Sequence, residues 1–414
     1  MTFKRTSLNC FLIIAAAFLS PLFFLQEKGY SQDSFRLVES IPAETVLNSS
    51  KLENTFDVWT ELVENAQRSI DIETFYFADK DSTSFNHIIT SLKTASGRGV
   101  KIRIIVDSSF YASNDKSVDA LEGIENIEIR KIPMRNISGG VMHAKFFIVD
   151  GESVFAGSQN FDWRALMHIH EIGAVIKNRR MAETFSEIFE ADWKLCEGNL
   201  YGFSNMKMNS LVNRENPVRL NDRDFGEIEI YTAVSPFGYV VDGLNFELEE
   251  LLRIINSSKE SLKIQIYSYS TKDRSSEGFF AIDSALRNAA ARGVKIMMLL
   301  PDWATKPVAI DAIKDLSIVP NISIKISSIP LHSSGFIPYA RVDHTKYFVC
   351  DNDISWISTT NWERNYFYNS RNVSLVVKNK EVNTKLSGVF DISWDSPYSE
   401  FVDVNKQYEE VKRK

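Results

Sequence analysis

The chain has 414 residues, too many for one ordinary core and comfortable for two domains of average size. It is 44% hydrophobic and 24% charged, the balance of a globular protein, and its net charge is −7. That acidity excludes broad, charge-driven adhesion to nucleic acid or anionic lipid, while leaving room for a locally basic cleft.

Residues 1–32 have the design of an export segment. Lys4 and Arg5 precede an apolar run from Cys10 to Leu25, and Gly29 and Ser31 supply small residues before a cut at Gln32. The run is short of the ~20 residues that span a bilayer, so a cleaved signal is favoured over a retained anchor. Either way the remainder is expected to be exported: secreted, periplasmic or lumenal. Cys10, Cys196 and Cys350 do not make a disulfide framework. A Cys196–Cys350 bridge stays open, with two buried free thiols the simpler reading. No Cys/His cluster has zinc spacing and no glycine-rich phosphate loop occurs, so neither a metal nor a cofactor is expected.

From about Ile41 helix and strand patterns alternate. Lys51–Ser69 has helical apolar spacing, Ile70–Phe77 alternates like a strand, Phe85–Ser96 is a helix, and Val100–Val106 and Ile127–Ile132 are strands. The second half replays this with a helix at Leu244–Ser257, a strand at Leu262–Tyr269 and a helix at Phe279–Ala291. Arg292-Gly-Val-Lys-Ile296 repeats Arg98-Gly-Val-Lys-Ile102. One domain has been duplicated. The expected boundaries are a first half over 40–200, a polar linker over 201–222 and a second half over 223–405. The fold class is α/β, two α/β/α sandwich halves related by a pseudo-twofold axis, with a shared site at their interface.

Each half carries one copy of a polar pattern. His143, Lys145, Asp150 and Asn160 recur as His344, Lys346, Asp351 and Asn361, at a constant offset of 201. In an extended strand, side chains two apart share a face and those seven apart do not. His143 with Lys145, and His344 with Lys346, therefore project together, while Asp150 and Asp351 belong to the scaffold. Two histidines, two lysines and two asparagines converging in one cleft suit a tetrahedral anion without a metal. The lysines balance non-bridging oxygens, one imidazole attacks phosphorus, and the other moves the proton. Glu171 is a candidate carboxylate partner for His143, whereas the equivalent position after His344 is Asn372. On that asymmetry His143 is the expected nucleophile and His344 the general acid. Ser158, Trp163, Thr359 and Trp362, beside the asparagines, are candidate substrate contacts, and the aromatics beside the motifs, Trp163, Trp362, Tyr366 and Phe367, could stack bases. For both tryptophans, core packing at equivalent repeat positions is the competing reading.

These residues, with Gly157-Ser-Gln-Asn-Phe-Asp-Trp-Arg164, Ile337-Pro-Tyr-Ala-Arg-Val-Asp-His-Thr-Lys-Tyr347 and Thr360-Asn-Trp-Glu-Arg-Asn-Tyr-Phe367, resemble the phospholipase D superfamily, whose signature is a duplicated H-x-K-x4-D. The branch is that of the animal endolysosomal phospholipase D-like proteins and poxvirus envelope relatives, and the resemblance covers roughly residues 40–400. It implies a phosphodiesterase with a covalent phospho-histidine, the residue matching Glu171 supporting the first histidine. It also implies a 5′ exonuclease acting on single-stranded DNA or RNA, with a phospholipase or phosphatidyl transferase as the alternative. A membrane link is expected only through the N-terminal segment.

Overall fold

In the computed structural model, residues 1–2 and 33–413 are described, apart from 49–50, 114–116, 199–210 and 274–276. Residues 3–32 of the expected export segment and the first ten residues of the expected linker lie outside the described residues. No helix among the described residues is long and apolar enough to cross a membrane.

Helix ends show how local chemistry sets the elements. Thr55–Asn65 starts where the Asn54 side chain accepts from Phe56 N, and it buries Val58, Trp59 and Val63. Arg179–Leu195 and Lys380–Trp394 are capped alike, by Asn178 on Met181 N and Asn379 on Val382 N. These two caps occupy the same place in their halves, so at this helix the duplication reaches into the hydrogen bond that starts it.

Each half is built on a mixed sheet. The first runs, side by side, Ser34–Ser40, Ile169–Lys177, Ser153–Gly157, Phe146–Val149, Ser69–Glu73, Lys101–Asp107 and Ile127–Ile132. The second repeats that order with Gly226–Ser235, Asn372–Lys378, Ile354–Ser358, Lys346–Cys350, Ser261–Ile266, Lys295–Pro301 and Ile322–Ser327. The strands from Ser69, Lys101 and Ile127 run parallel, and the motif strands run antiparallel to them. The two sheets meet at one core: Met142, Ala144 and Phe146 share an apolar cluster with Tyr231 and Val373.

Three boundaries differ from the expectation. Strand Ser34–Ser40 pairs antiparallel with Ile169–Lys177, so the first half begins before residue 40. Its apolar alternation is short and abuts the export segment, which hides it. Val218–Asp222, expected as linker, is a strand paired with Gly226–Ser235. Beyond residue 405 the chain still packs: Val411 lies against the Trp303–Val342 cluster, and Tyr339 N donates to Arg413 O. Cys196 and Cys350 are both free, Cys350 buried and Cys196 half-buried.

The halves exchange backbone bonds where the motifs begin. Met142 bridges Arg371, and Val342–Asp343 pairs in parallel with Ile169–His170. His143 N donates to Arg371 O and His344 N to His170 O, both at 2.9 Å. The chains are so close here that a Cβ on Gly140 would collide with the Asn369 carbonyl. Each motif histidine thus hangs from the backbone of the opposite half.

Candidate active site

That exchange brings the two motifs into one cleft of about 470 Å³, lined by His143, His344, Asn160 and Asn361 among aromatic side chains. His143 and Lys145 precede strand Phe146–Val149 rather than lying within it, and Lys346 opens its strand. Both lysines are buried, and each ammonium reaches back to its own histidine's carbonyl, Lys346 at 2.8 Å and Lys145 at 2.5 Å. Each also lies over an aromatic ring, Lys145 over Phe75 and Lys346 over Tyr267. Burial and the opposing Lys346 hold Lys145 well below the ordinary lysine range, and burial brings Lys346 down to about 7. An oxyanion seated between two buried lysines would favour their charged forms, against the burial that lowers both.

The carboxylate partner is on the other histidine from the one expected. Glu171 accepts from His344 Nδ1, at 2.9 and 3.0 Å, not from His143. His143 Nδ1 instead meets Asn372 Oδ1 at 2.9 Å. The reason is the exchange of edges: Glu171 and Asn372 each follow the residue that carries the other half's histidine. Asn372 Nδ2 donates to the carbonyls of Tyr366 and Ser370, so its Oδ1 is the acceptor and His143 Nδ1 carries hydrogen.

Burial favours the neutral forms of the Glu171–His344 pair, raising the carboxyl and lowering the imidazole. The Lys346 ammonium, 3.0 Å from His344 Nε2, decides the tautomer: Nε2 accepts, so Nδ1 carries the hydrogen toward Glu171. His143 is also lowered, by burial and then by Lys145 and Lys346, with no carboxylate to oppose them.

Asn160 and Asn361 line the cleft, and each has a buried side-chain oxygen without a hydrogen-bond partner among the described residues. Asp150 and Asp351 lie away from it in left-handed turns. Asp150 accepts from the backbone of Gln67, Arg68 and Ser69, and Asp351 from that of Lys259, Glu260 and Ser261. Ser158 and Thr359 are behind the cleft: Ser158 bonds the Ile172 backbone and supports Glu171, and Thr359 donates to Asn372 Oδ1. Trp362 is buried in the core, and its repeat counterpart is the equally buried Phe161. Trp163 is half-buried under Lys80 and does not line the cleft. The four candidate contacts therefore serve packing and support.

Of the aromatics expected to stack bases, Tyr366 lines the cleft; the other rings that line it were missed from the sequence. Phe75, Tyr76 and Phe110 stack on one side, with Phe75–Phe110 centroids at 4.1 Å and Tyr76–Phe110 at 4.9 Å. His143 is edge-on to Phe75 and Tyr366, and His344 to Tyr267, which touches Trp303. A signal existed: Phe75 and Tyr267 fall at the same place after equivalent strands of the two halves.

The family model described as "Cardiolipin synthase, PLD-like domain" matches residues 60–193 and again 251–394, once per motif. The chain belongs to the phospholipase D superfamily. Among superfamily relatives it is 30% identical to the 5′-3′ exonuclease PLD3 of Xenopus laevis over 401 residues, 89% of this chain and 81% of that protein. It is also 30% identical to phospholipase D Z of Dictyostelium discoideum over 384 residues, covering 88% and 90%. The virion nicking-joining enzyme of Vaccinia virus is 30% identical over 383 residues, 88% of each chain. The fold is shared with phosphatidylserine synthase of Haemophilus influenzae, at a TM-score of 0.58 and 11% identity over 84% of this chain and 85% of that one. As a superfamily member with both motifs converging on one cleft, the chain is a phosphodiesterase.

Proposed function

We propose that the chain is a 5′ exonuclease on single-stranded DNA or RNA, working through a phosphohistidine. The observation that carries this reading is the aromatic lining of the cleft on both sides of the histidine pair, since rings stack on bases of any sequence. The exonuclease and nicking-joining names among its relatives support it.

The crossed partners, Glu171 on His344 and Asn372 on His143, support the opposite division of labour from the one expected. A phosphodiester seated between Lys145 and Lys346 neutralises them and offers its ester oxygens to the two asparagine amides. His344 Nε2, unprotonated and backed by Glu171, attacks phosphorus, and the new N–P bond forms as the P–O5′ bond breaks. His143, charged once the bound anion offsets the lysines, gives its Nε2 proton to the departing oxygen. A histidinium whose partner is an amide is a strong acid, which suits that step. His143 then takes a proton from water, whose oxygen replaces His344 on phosphorus. The 3′-mononucleotide leaves, and the free 5′-hydroxyl strand can be threaded again.

A phospholipase reading has one observation of its own. Leu331, Phe336 and Tyr339 are exposed on the segment leading to the second motif, and Tyr339 reaches the cleft. The two substrates are separated by incubating the protein, with chelator present, with 5′-hydroxyl oligonucleotides and with phosphatidylcholine vesicles. Stepwise 3′-mononucleotide release supports the nuclease, and choline release without it overturns that reading. Loss of all activity in chelator overturns the metal-free chemistry. We also propose export through residues 1–32, on the strength of the Lys4-Arg5 pair before the apolar run. Fractionation of cells expressing the full chain tests this, a cytosolic product overturning it.

A further inference from the structure

A second set of titratable groups lies behind His143, outside the reaction just described. Arg371, whose carbonyl holds the His143 amide, is fully buried and makes a two-pronged bond to Asp192 at 2.8 Å on both arms. Its remaining nitrogen donates to the carbonyls of Ser235 and Tyr239. Glu73 ends strand Ser69–Glu73, against which the Asp192 helix packs; it has no exposure, interacts with both members of the pair, and neither of its oxygens has a hydrogen-bond partner among the described residues. Two buried carboxylates thus confront one guanidinium already committed to one of them. An ionised carboxylate left there without a donor is untenable, because desolvation is offset only by good pairing.

The pseudo-twofold supplies a control within the molecule. Gln265 stands in the second half where Glu73 stands in the first, four residues on from Ser261 as Glu73 is from Ser69. There the cation is His170, whose carbonyl holds the His344 amide. It sits 2.7 Å from Glu39, and although burial opposes it, Asp343 and Glu39 raise it to about 10. Gln265 donates to Asp343 and accepts from Tyr347 OH at 2.7 Å. A glutamine is the neutral isostere of a protonated glutamate.

We propose that Glu73 is a positioning residue for His143: it holds a proton shared with Asp192, and losing that proton unseats Arg371 and, through its carbonyl, the histidine. The charged groups acting on Glu73 are Asp192, from the helix Arg179–Leu195, and Arg371; the Cys196 thiol, just past the end of that helix, also feels it. Burial and Asp192 together push the Glu73 carboxyl well above the usual range, against Arg371. The stabilisation is present in full below the unfolded carboxyl's value of about 4.5 and is lost as pH rises toward the folded one. The role of Glu73 rests on the phosphodiesterase chemistry alone and not on the substrate class.

Glu73→Gln tests it, with bis(p-nitrophenyl) phosphate as probe. At pH 5 kcat should match the native protein within about twofold. With rising pH the native kcat should fall away from that of the variant by up to ~10-fold per unit once the carboxyl ionises. The native Tm should fall with pH more steeply than the variant's. Lys346 titrates in both proteins and cancels from the comparison. Parallel kcat and Tm profiles from pH 5 to 10 overturn the proposal, as does a folded variant inactive at pH 5. Should Glu73→Gln fail to fold, Asp192→Asn carries the same test, since it leaves Glu73 as the one carboxylate facing Arg371. With the Asp192 charge gone the Glu73 carboxyl loses part of what pushes it up, so the alkaline decline should move to lower pH, and an unmoved decline overturns the proposal.

Discussion

His344 takes its carboxylate from the other half of the chain: Glu171, 173 positions earlier, accepts from its Nδ1 at 2.9 Å. His143 is served by Asn372 in the same crossed fashion, 229 positions away. The two motifs are equal in sequence and unequal in chemistry because their partners are exchanged.

Trapping the covalent intermediate decides which histidine is attacked. Rapid mixing with substrate, an alkaline quench and peptide mass spectrometry should find phosphate on His344. Glu171→Ala, which removes the partner of His344 Nδ1 altogether, should lower kcat by about 10²–10⁴-fold. Phosphate on His143 alone would falsify the assignment.

Anion affinity should depend on pH through Lys346, which burial holds at about 7. Below that value the ammonium is charged and holds an oxyanion; above it the charge is lost. Competitive inhibition by tungstate should therefore weaken by up to ~10-fold per pH unit above 7. A Ki constant between pH 5 and 9 would contradict the role given to Lys346.

The aromatic side of the cleft makes a substrate-specific prediction. Removing one stacked base costs roughly 1–3 kcal/mol, so Phe110→Ala should raise KM for an oligonucleotide by about 5–100-fold. Hydrolysis of bis(p-nitrophenyl) phosphate, which has no base, should change little. Equal effects on both substrates would point to a structural role for the ring.

Tryptophans 163 and 362 should behave differently when truncated. Trp362 is buried, and its loss should cost about 3–5 kcal/mol in denaturant titrations. Trp163→Ala, at a half-buried site beneath Lys80, should be much milder and should leave KM unchanged. A large KM effect at Trp163 would restore it as a substrate contact.

Much of the site was legible because a pattern that occurs twice in register is its own control. His143, Lys145, Asn160 and their counterparts needed no structure. The pairing of Glu171 was not legible, because sequence distance favours the histidine 28 residues before it over one far ahead. Only the parallel pairing of Val342–Asp343 with Ile169–His170 makes the distant one the neighbour. Apart from Tyr366, the cleft's rings were hidden for another reason. Phe75 and Tyr267 read as the ends of buried strands, and an aromatic at a strand end looks the same whether it faces core or cavity. Strand Ser34–Ser40 was lost to the adjoining apolar segment, although its bonds to Ile169–Lys177 are regular.

The crossed bonds also set the unit on which selection can act. A substitution at Glu171 is felt by a histidine encoded in the other repeat, and one at Asn372 by a histidine in the first. After duplication, neither copy was free to decay or specialise by itself. Descendants of this arrangement should keep or change residues 171 and 344 as one pair, and 143 and 372 as another, so that inheritance follows the contacts across the repeats rather than the repeats themselves.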